Sequence, residues 1–199
     1  MNHQTIFSIR KAEASDAADL AKLIDIAGEG IPAWMWAQRC QAGETPLDVG
    51  ATRARREEGG FSYTNALVAE RGGDVLGMAV SYPIDEAPSA DLDELPAPIV
   101  PFVELEAQSV GTWYINALAV FAGRREAGVG SKLINAVETQ AAAGGYPVVS
   151  IQVYSQNVRA FRLYERFGYT VAARASVREH PCQPYYTGDV LLLLKRLAG

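Results

Sequence analysis

Cysteine is scarce in this chain. Only Cys40 and Cys182 occur among 199 residues, far apart and without a CxxC spacing, so they read as buried or incidental thiols rather than a functional pair. Histidine is as rare, and His180 near Cys182 has no further ligand at metal-binding spacing, so no metal site is expected. No apolar run is long enough to cross a bilayer. The run Val190 to Leu194 is far too short and reads as a buried strand. The opening residues MNHQTIFSIRKAE lack the apolar stretch of a secretory signal, and a cytoplasmic protein without membrane association is the expectation. An excess of basic charge is also missing: the formal net charge is −5, which argues against nucleic acid and toward a cationic partner. With 49% hydrophobic and 21% charged residues the chain has a globular composition, and disorder is not the default. Neither a repeat nor a convincing linker divides it, so one domain over 1–199 is expected.

What the chain does have is centred on residues 113 to 134, WYINALAVFAGRREAGVGSKLI. Trp113 to Val120 is an apolar run suited to a doubly covered strand. A polar turn, Phe121 to Ala127, leads to Gly128-Val129-Gly130-Ser131 at the start of a helix. Val129, Leu133, Ile134 and Val137 form its inward stripe. A glycine-bearing helix start after a strand offers unpaired amides and a positive dipole end to phosphate. Two familiar phosphate motifs do not fit. A Walker loop needs Lys after its second glycine, where Val129 stands, and the dinucleotide fingerprint needs a small residue where Leu133 stands.

Taken in order, residues 5 to 10 predict a first strand with Phe7 and Ile9 on one face. Ser15 and Asp16 then offer a cap to a helix carrying Leu20, Leu23 and Ile24, stopped by Gly28 and Gly30. A second helical piece follows Pro32 to about Cys40, its aromatics Trp34 and Trp36 read as core. A third runs from Thr45-Pro46 to Gly59-Gly60, with Arg53, Arg55 and Arg56 as a solvated, dipole-compatible end. Residues 65–70 and 75–80 flank a glycine turn as a hairpin. Residues 83 to 110 are an acidic, proline-bearing excursion with short helices near 91–95 and 102–107. After the central strand and helix come a buried strand over 148–153, a helix from Asn157 to Gly168, and closing strands near 170–178 and 188–195. The helix from Asn157 places Ala160, Phe161, Tyr164 and Phe167 on one face.

The remaining pattern, Arg125-x-x-Gly128-x-Gly130 directly after Leu118-Ala119-Val120, resembles the acetyl-CoA signature of the GNAT acetyltransferases. The segment Asn157-x-x-Ala160-x-x-Leu163-Tyr164-x-x-x-Gly168-Tyr169 resembles that family's second signature, with Tyr169 in place of Phe. The resemblance covers residues 113–169. It implies an α+β fold: a mixed, mostly antiparallel, splayed sheet of about seven strands flanked by helices. It implies acetyl-CoA as cosubstrate, with no metal. The main chain of Leu118, Ala119 and Val120 would pair with the pantetheine arm as an added strand would. Amides from Arg125, Glu126, Ala127, Gly128, Val129, Gly130 and Ser131 would cradle the pyrophosphate, Arg125 adding a charge-assisted bond. Asn157 would bond the pantetheine or order its helix.

Acetyl transfer from a thioester to an amine needs a neutral amine, an oxyanion donor and a proton for the leaving thiolate. A lysine-like amine has a pKa near about 10.4 and must first lose a proton. The amide near Leu118 is the expected oxyanion donor, and Tyr164, by its family position, the expected acid. The base is less determined, because Tyr114 stands where some relatives carry Glu. Glu104 and Glu106 lie upstream, and Glu106 is the candidate, against the reading of a solvated acidic loop. That excursion, Asp85 to Glu106, would favour a cationic small-molecule amine if it overhangs the acceptor. A homodimer and a non-catalytic acyl-CoA-binding module stay open as alternatives.

Overall fold

The computed structural model describes residues 7–124 and 128–198. In chain order the elements are β1 (Ser8–Lys11), α1 (Ala17–Ala27), α2 (Ile31–Ala37), α3 (Pro46–Ala54), β2 (Ala66–Arg71), β3 (Asp74–Ile84), α4 (Val100–Glu106), β4 (Thr112–Val120), α5 (Val129–Ala143), β5 (Val148–Tyr154), α6 (Val158–Arg166), β6 (Thr170–Ser176) and β7 (Asp189–Arg196). The seven strands lie in the order β1-β2-β3-β4-β5-β7-β6. The sheet is mostly antiparallel, with β4 and β5 parallel. The chain divides into two compact units. The first holds residues 1–81 and 117–137, the second residues 82–116 and 138–199.

In the first unit, β1 and β2 pair antiparallel, and β2 turns into β3 through Gly72 and Gly73. Both glycines have positive φ, 61° and 90°, as a tight hairpin turn with two left-handed residues requires. The expected hairpin forms, and β3 continues to Ile84, so the excursion begins at residue 85. Helix α1 starts at Ala17 with Asp16, one of its two expected caps, at the N-cap position, although the Asp16 side chain makes no capping bond to that helix. Glu13 and Asp16 make a capping box around a 3-10 turn ahead of it, and Arg10 clamps Asp16 at 2.7 Å. Helix α3 has a second box, Thr45 with Asp48. It ends at Ala54, short of the expected Gly59. The charged run Arg55 to Glu58 has no apolar side to bury, and the chain turns out through Gly59 instead. Trp36 is core as expected, stacked on Phe61 at 5.7 Å, while Trp34 and Met35 are half-buried. The α5 stripe is buried throughout at Val129, Leu133, Ile134 and Val137, each side chain giving about 1.5–3 kcal/mol of burial.

In the second unit, β5 and β7 pair over seven residues and β6 completes the edge. Leu105, Tyr154, Val190 and Leu192 form its core, with Phe102 edge-on to Tyr154. Helix α6 buries only Tyr164, and the expected neighbours Ala160, Phe161 and Phe167 are half-buried. A Schellman motif ends it. Tyr169 N–H bonds Tyr164 O, Gly168 N–H bonds Glu165 O, and Gly168 sits at φ 85°. The loop between β6 and β7 is pinned where the buried Gln183 accepts from Tyr154 Oη at 2.7 Å. Both cysteines are free and half-buried.

Candidate active site

Strand β4 meets the two units at different points. In the second unit its parallel ladder to β5 pairs Trp113, Tyr114 and Ile115 with Val149, Ser150 and Ile151. In the first unit, its far end lies against β3. A Cβ on Gly77 would come within 2.6 Å of Ala119 O, and Phe121 N–H bonds Leu76 O at 3.0 Å. That close approach needs glycine at 77 and fixes the main chain of Leu118–Val120 along one edge. Ala119 is buried, whereas Leu118 and Val120 are half-buried.

Of the phosphate-cradle residues, Arg125, Glu126 and Ala127 lie outside the described residues. Gly128 is exposed at φ 69°, and a Cβ built on it would meet nothing within 4 Å. Lys132 N–H bonds Gly128 O at 3.1 Å, so the glycine opens α5. Val129 is buried, while Gly130 and Ser131 are half-buried in the first turn of this 15-residue helix. The space beside Gly128 at the first turn of α5 fits a diphosphate.

Asn157 is the cap of α6, its Oδ1 accepting from Ala160 N–H at 3.1 Å, which is the helix-ordering role expected of it. Tyr164 is 5% exposed, inclined to Tyr169 with ring centroids 6.1 Å apart. Burial raises its pKa, so the phenol stays protonated through the neutral range.

The two excursion glutamates part company. Glu104 pairs with Arg178 at 3.5 Å and is committed to a surface contact. Glu106, two residues on, lies on a different side of α4 and is half-buried. Among the described residues it forms no ion pair or hydrogen bond through its carboxylate. Burial raises its pKa. Its charge acts on Tyr82 of β3 and Tyr114 of β4, whose rings meet edge-on at 5.9 Å. Burial first and Glu106 second raise the pKa of both phenols, and Asn116, two residues on along the same face of β4, hydrogen-bonds Tyr114. Thus Tyr114, which is not itself a carboxylate, lies within reach of a carboxylate charge from another element. Sequence reasoning did not find Tyr82 or Asn116. The only signal was their place at strand positions next to Tyr114 and at the hairpin end.

Glu106 is held there by the chain that follows it. Ser109 Oγ donates to Leu105 O, and Thr112 Oγ1 donates to Ser109 O at 2.6 Å. Thr112 and Ser150 hydroxyls share a further bond at 2.6 Å, and Gly111 N–H bonds Ile84 O at 2.7 Å. All three hydroxyl residues are buried, so this small network fixes the helix end between β3, β4 and β5. Other excursion carboxylates have local work. Asp85 accepts from Tyr146 Oη at 2.7 Å, and Asp91 caps Asp93. Among the described residues no cluster of His, Cys, Asp and Glu is suited to a metal ion, and no helix is long and apolar enough to cross a membrane.

The fold is that of N-acetyltransferases of known structure. The chain is similar to the polyamine N-acetyltransferase of Drosophila melanogaster (TM-score 0.68, 16% identity, covering 96% of this chain and 100% of that one). It is similar to an N-acetyltransferase from Staphylococcus aureus Mu50 (0.68, 19%, 94% and 100%). It is also similar to yncA of Salmonella typhimurium, a putative acetyltransferase solved with its cofactor acetyl-CoA (0.60, 21%, 98% and 95%). No curated protein matches the chain by sequence. Residues 31–169 match the sequence model of the Acetyltransferase (GNAT) family, and the chain belongs to that family of acyltransferases.

Proposed function

We propose that this chain is an acetyl-CoA-dependent N-acetyltransferase, built as one functional domain, that moves the acetyl group to a primary amine by direct attack in a ternary complex. The observation that carries the reading is Glu106: a half-buried carboxylate without a partner among the described residues, whose charge reaches Tyr114 on the strand that continues into Leu118–Val120. Burying an unpaired carboxylate costs stability, and a base awaiting a proton accounts for keeping it. Acetyl-CoA supplies the activated acyl group as its thioester. Leu118–Val120, past the three-pair ladder to β5, pair with its pantetheine amides. The first turn of α5 from Gly128 to Ser131, together with Arg125 to Ala127, takes its diphosphate, and Asn157 orders the helix that carries Tyr164.

Glu106 takes a proton from the acceptor ammonium, directly or through water, and the free amine forms the new N–C bond at the thioester carbonyl. The oxyanion is met by the Leu118 amide. The C–S bond then breaks, the leaving thiolate takes the Tyr164 proton, and the surplus proton on the new amide nitrogen passes through water to restore the Tyr164 phenol. An alkylammonium acceptor suits the Glu106 carboxylate and the electron-rich faces of Tyr82 and Tyr114. The cellular setting of this reading is the cytoplasm.

The test is the pH profile of kcat/KM for the acceptor. A base that must be ionised, with its pKa raised by burial, places the acid limb above the ordinary carboxylate range. Glu106→Gln abolishes that limb and lowers kcat/KM by about 10²–10⁴-fold. The same shift has the opposite sign in stability. The folded state disfavours the charged form, so the cost is absent below the ordinary Glu value. It grows as pH rises from there to the raised value, and is full above it. Glu106→Gln is therefore expected to melt no lower than the parent at neutral pH. An unchanged acid limb would remove Glu106 as the base. Absence of any turnover of acetyl-CoA with a broad amine panel, despite tight CoA binding, would favour a non-catalytic acyl-CoA-binding module.

A further inference from the structure

Helices α2 and α3 pack through Gly50, where an added Cβ would come within 2.5 Å of the Trp36 ring. Arginines lie one turn beyond each side of that contact. Arg39 follows Trp36, its N–H bonding Trp36 O at 2.9 Å, and Arg53 is three residues after Gly50 on the same side of α3. Arg56 is one turn further, its Nε donating to Arg53 O at 3.2 Å. Of the nearby acids, Glu44 accepts from Gln41 N–H and Asp48 is held in the Thr45 capping box, while Glu57 and Glu58 are exposed beyond the end of α3 and pair with none of these arginines. Among the described residues, Arg39, Arg53 and Arg56 form no ion pair.

Arg56 has an ordinary explanation, since it bonds a carbonyl at the negative end of α3. Arg53 does not. Its guanidinium is half-buried, and burial, then the charges of Arg56 and Arg39, weaken its hold on its proton. Gathering like charges around a partly desolvated cation is unfavourable unless an anion joins them.

We infer that Arg39, Arg53 and Arg56 form a binding site for a phosphate group. Planar guanidinium forks match phosphate oxygens in pairs, and three positive charges suit a dianion better than a single carboxylate. The phosphate belongs either to the acceptor substrate or to the 3′-phosphate of CoA. The site goes beyond the acetyltransferase reading and is tested without turnover.

Inorganic phosphate is titrated into the full chain at constant ionic strength, with chloride as the reference anion, and binding is followed by calorimetry. Saturable binding is expected in the parent. Arg39→Gln and Arg56→Gln, both at exposed positions, are each expected to weaken it about tenfold or more, the loss of a charge-assisted bond. Arg53→Lys keeps the charge and loses the fork, and is expected to weaken it as well. Melting temperatures confirm that each variant is folded. No saturable phosphate binding, or parent-like binding by folded Arg39→Gln and Arg56→Gln, overturns the site. CoA and dephospho-CoA then identify the source. If Arg39→Gln removes the affinity advantage of CoA, the ligand is its 3′-phosphate. If the advantage persists while inorganic phosphate binding is lost, the phosphate is carried by the acceptor.

Discussion

In single-turnover experiments, Tyr164→Phe is expected to slow acetyl transfer by about 10²–10⁴-fold while leaving CoA affinity nearly unchanged. The split follows from where the side chain sits. Its ring is buried in the second unit against Tyr169, and Phe retains that packing almost atom for atom. Only the phenolic proton is lost. Burial keeps that proton in place across the neutral range, the state a general acid must be in when the thiolate leaves. The effect should disappear with a thioester whose thiol is far more acidic, because that leaving group needs no proton. A parent-like single-turnover rate in a folded Tyr164→Phe would leave the residue as packing alone.

The second large effect concerns Gly128. Its φ of 69° alone would explain a glycine, since the left-handed region disfavours most side chains. The open space beside it offers a different reason under the proposed cosubstrate placement, in which a diphosphate comes close to the main chain. Asparagine separates the two, because it tolerates left-handed backbone better than other non-glycine residues yet places a side chain in that space. Gly128→Asn is expected to melt near the parent temperature while CoA affinity falls about 10- to 100-fold, the cost of charge-assisted bonds that no longer form. Calorimetry showing parent-like CoA affinity would make Gly128 a turn residue only. Gly128→Val is expected to lose affinity too, with an added loss of stability from backbone strain.

Glu104 and Glu106 illustrate a limit of reading charge along a chain. As a sequence they are two members of one acidic stretch, and neutralising them together would look like one experiment. Their helix separates them: Glu104 reaches Arg178, while the charge of Glu106 acts on Tyr82 and Tyr114. Single substitutions are therefore the informative ones. Glu104→Gln is expected to leave the acid limb of the pH profile in place, where Glu106→Gln removes it.

Local signals determined much of this protein. The alternation and turn glycines of 66–84 specify a hairpin because Gly72 and Gly73 can take the positive φ its turn requires. The i, i+4 stripe from Val129 to Val137 specifies the buried side of α5, and Asn157 and Gly168 mark the ends of α6 by capping chemistry that acts within a few residues. Helix α3 stops at Ala54, short of Gly59, because the helix-compatible charges of Arg55 to Glu58 have nothing apolar to bury. Tertiary structure alone decided the rest. It brought Tyr114, eight positions later in sequence, within reach of the Glu106 charge, with a hydrogen-bonded turn at Ser109 to Thr112 that locks the helix end to the sheet. It left Arg53 half-buried among like charges, although the chain shows only a basic helix end. Burial and the field of distant neighbours are sums over the folded molecule. A proton's affinity for a carboxylate is set by those sums, and spacing along the chain does not contain them.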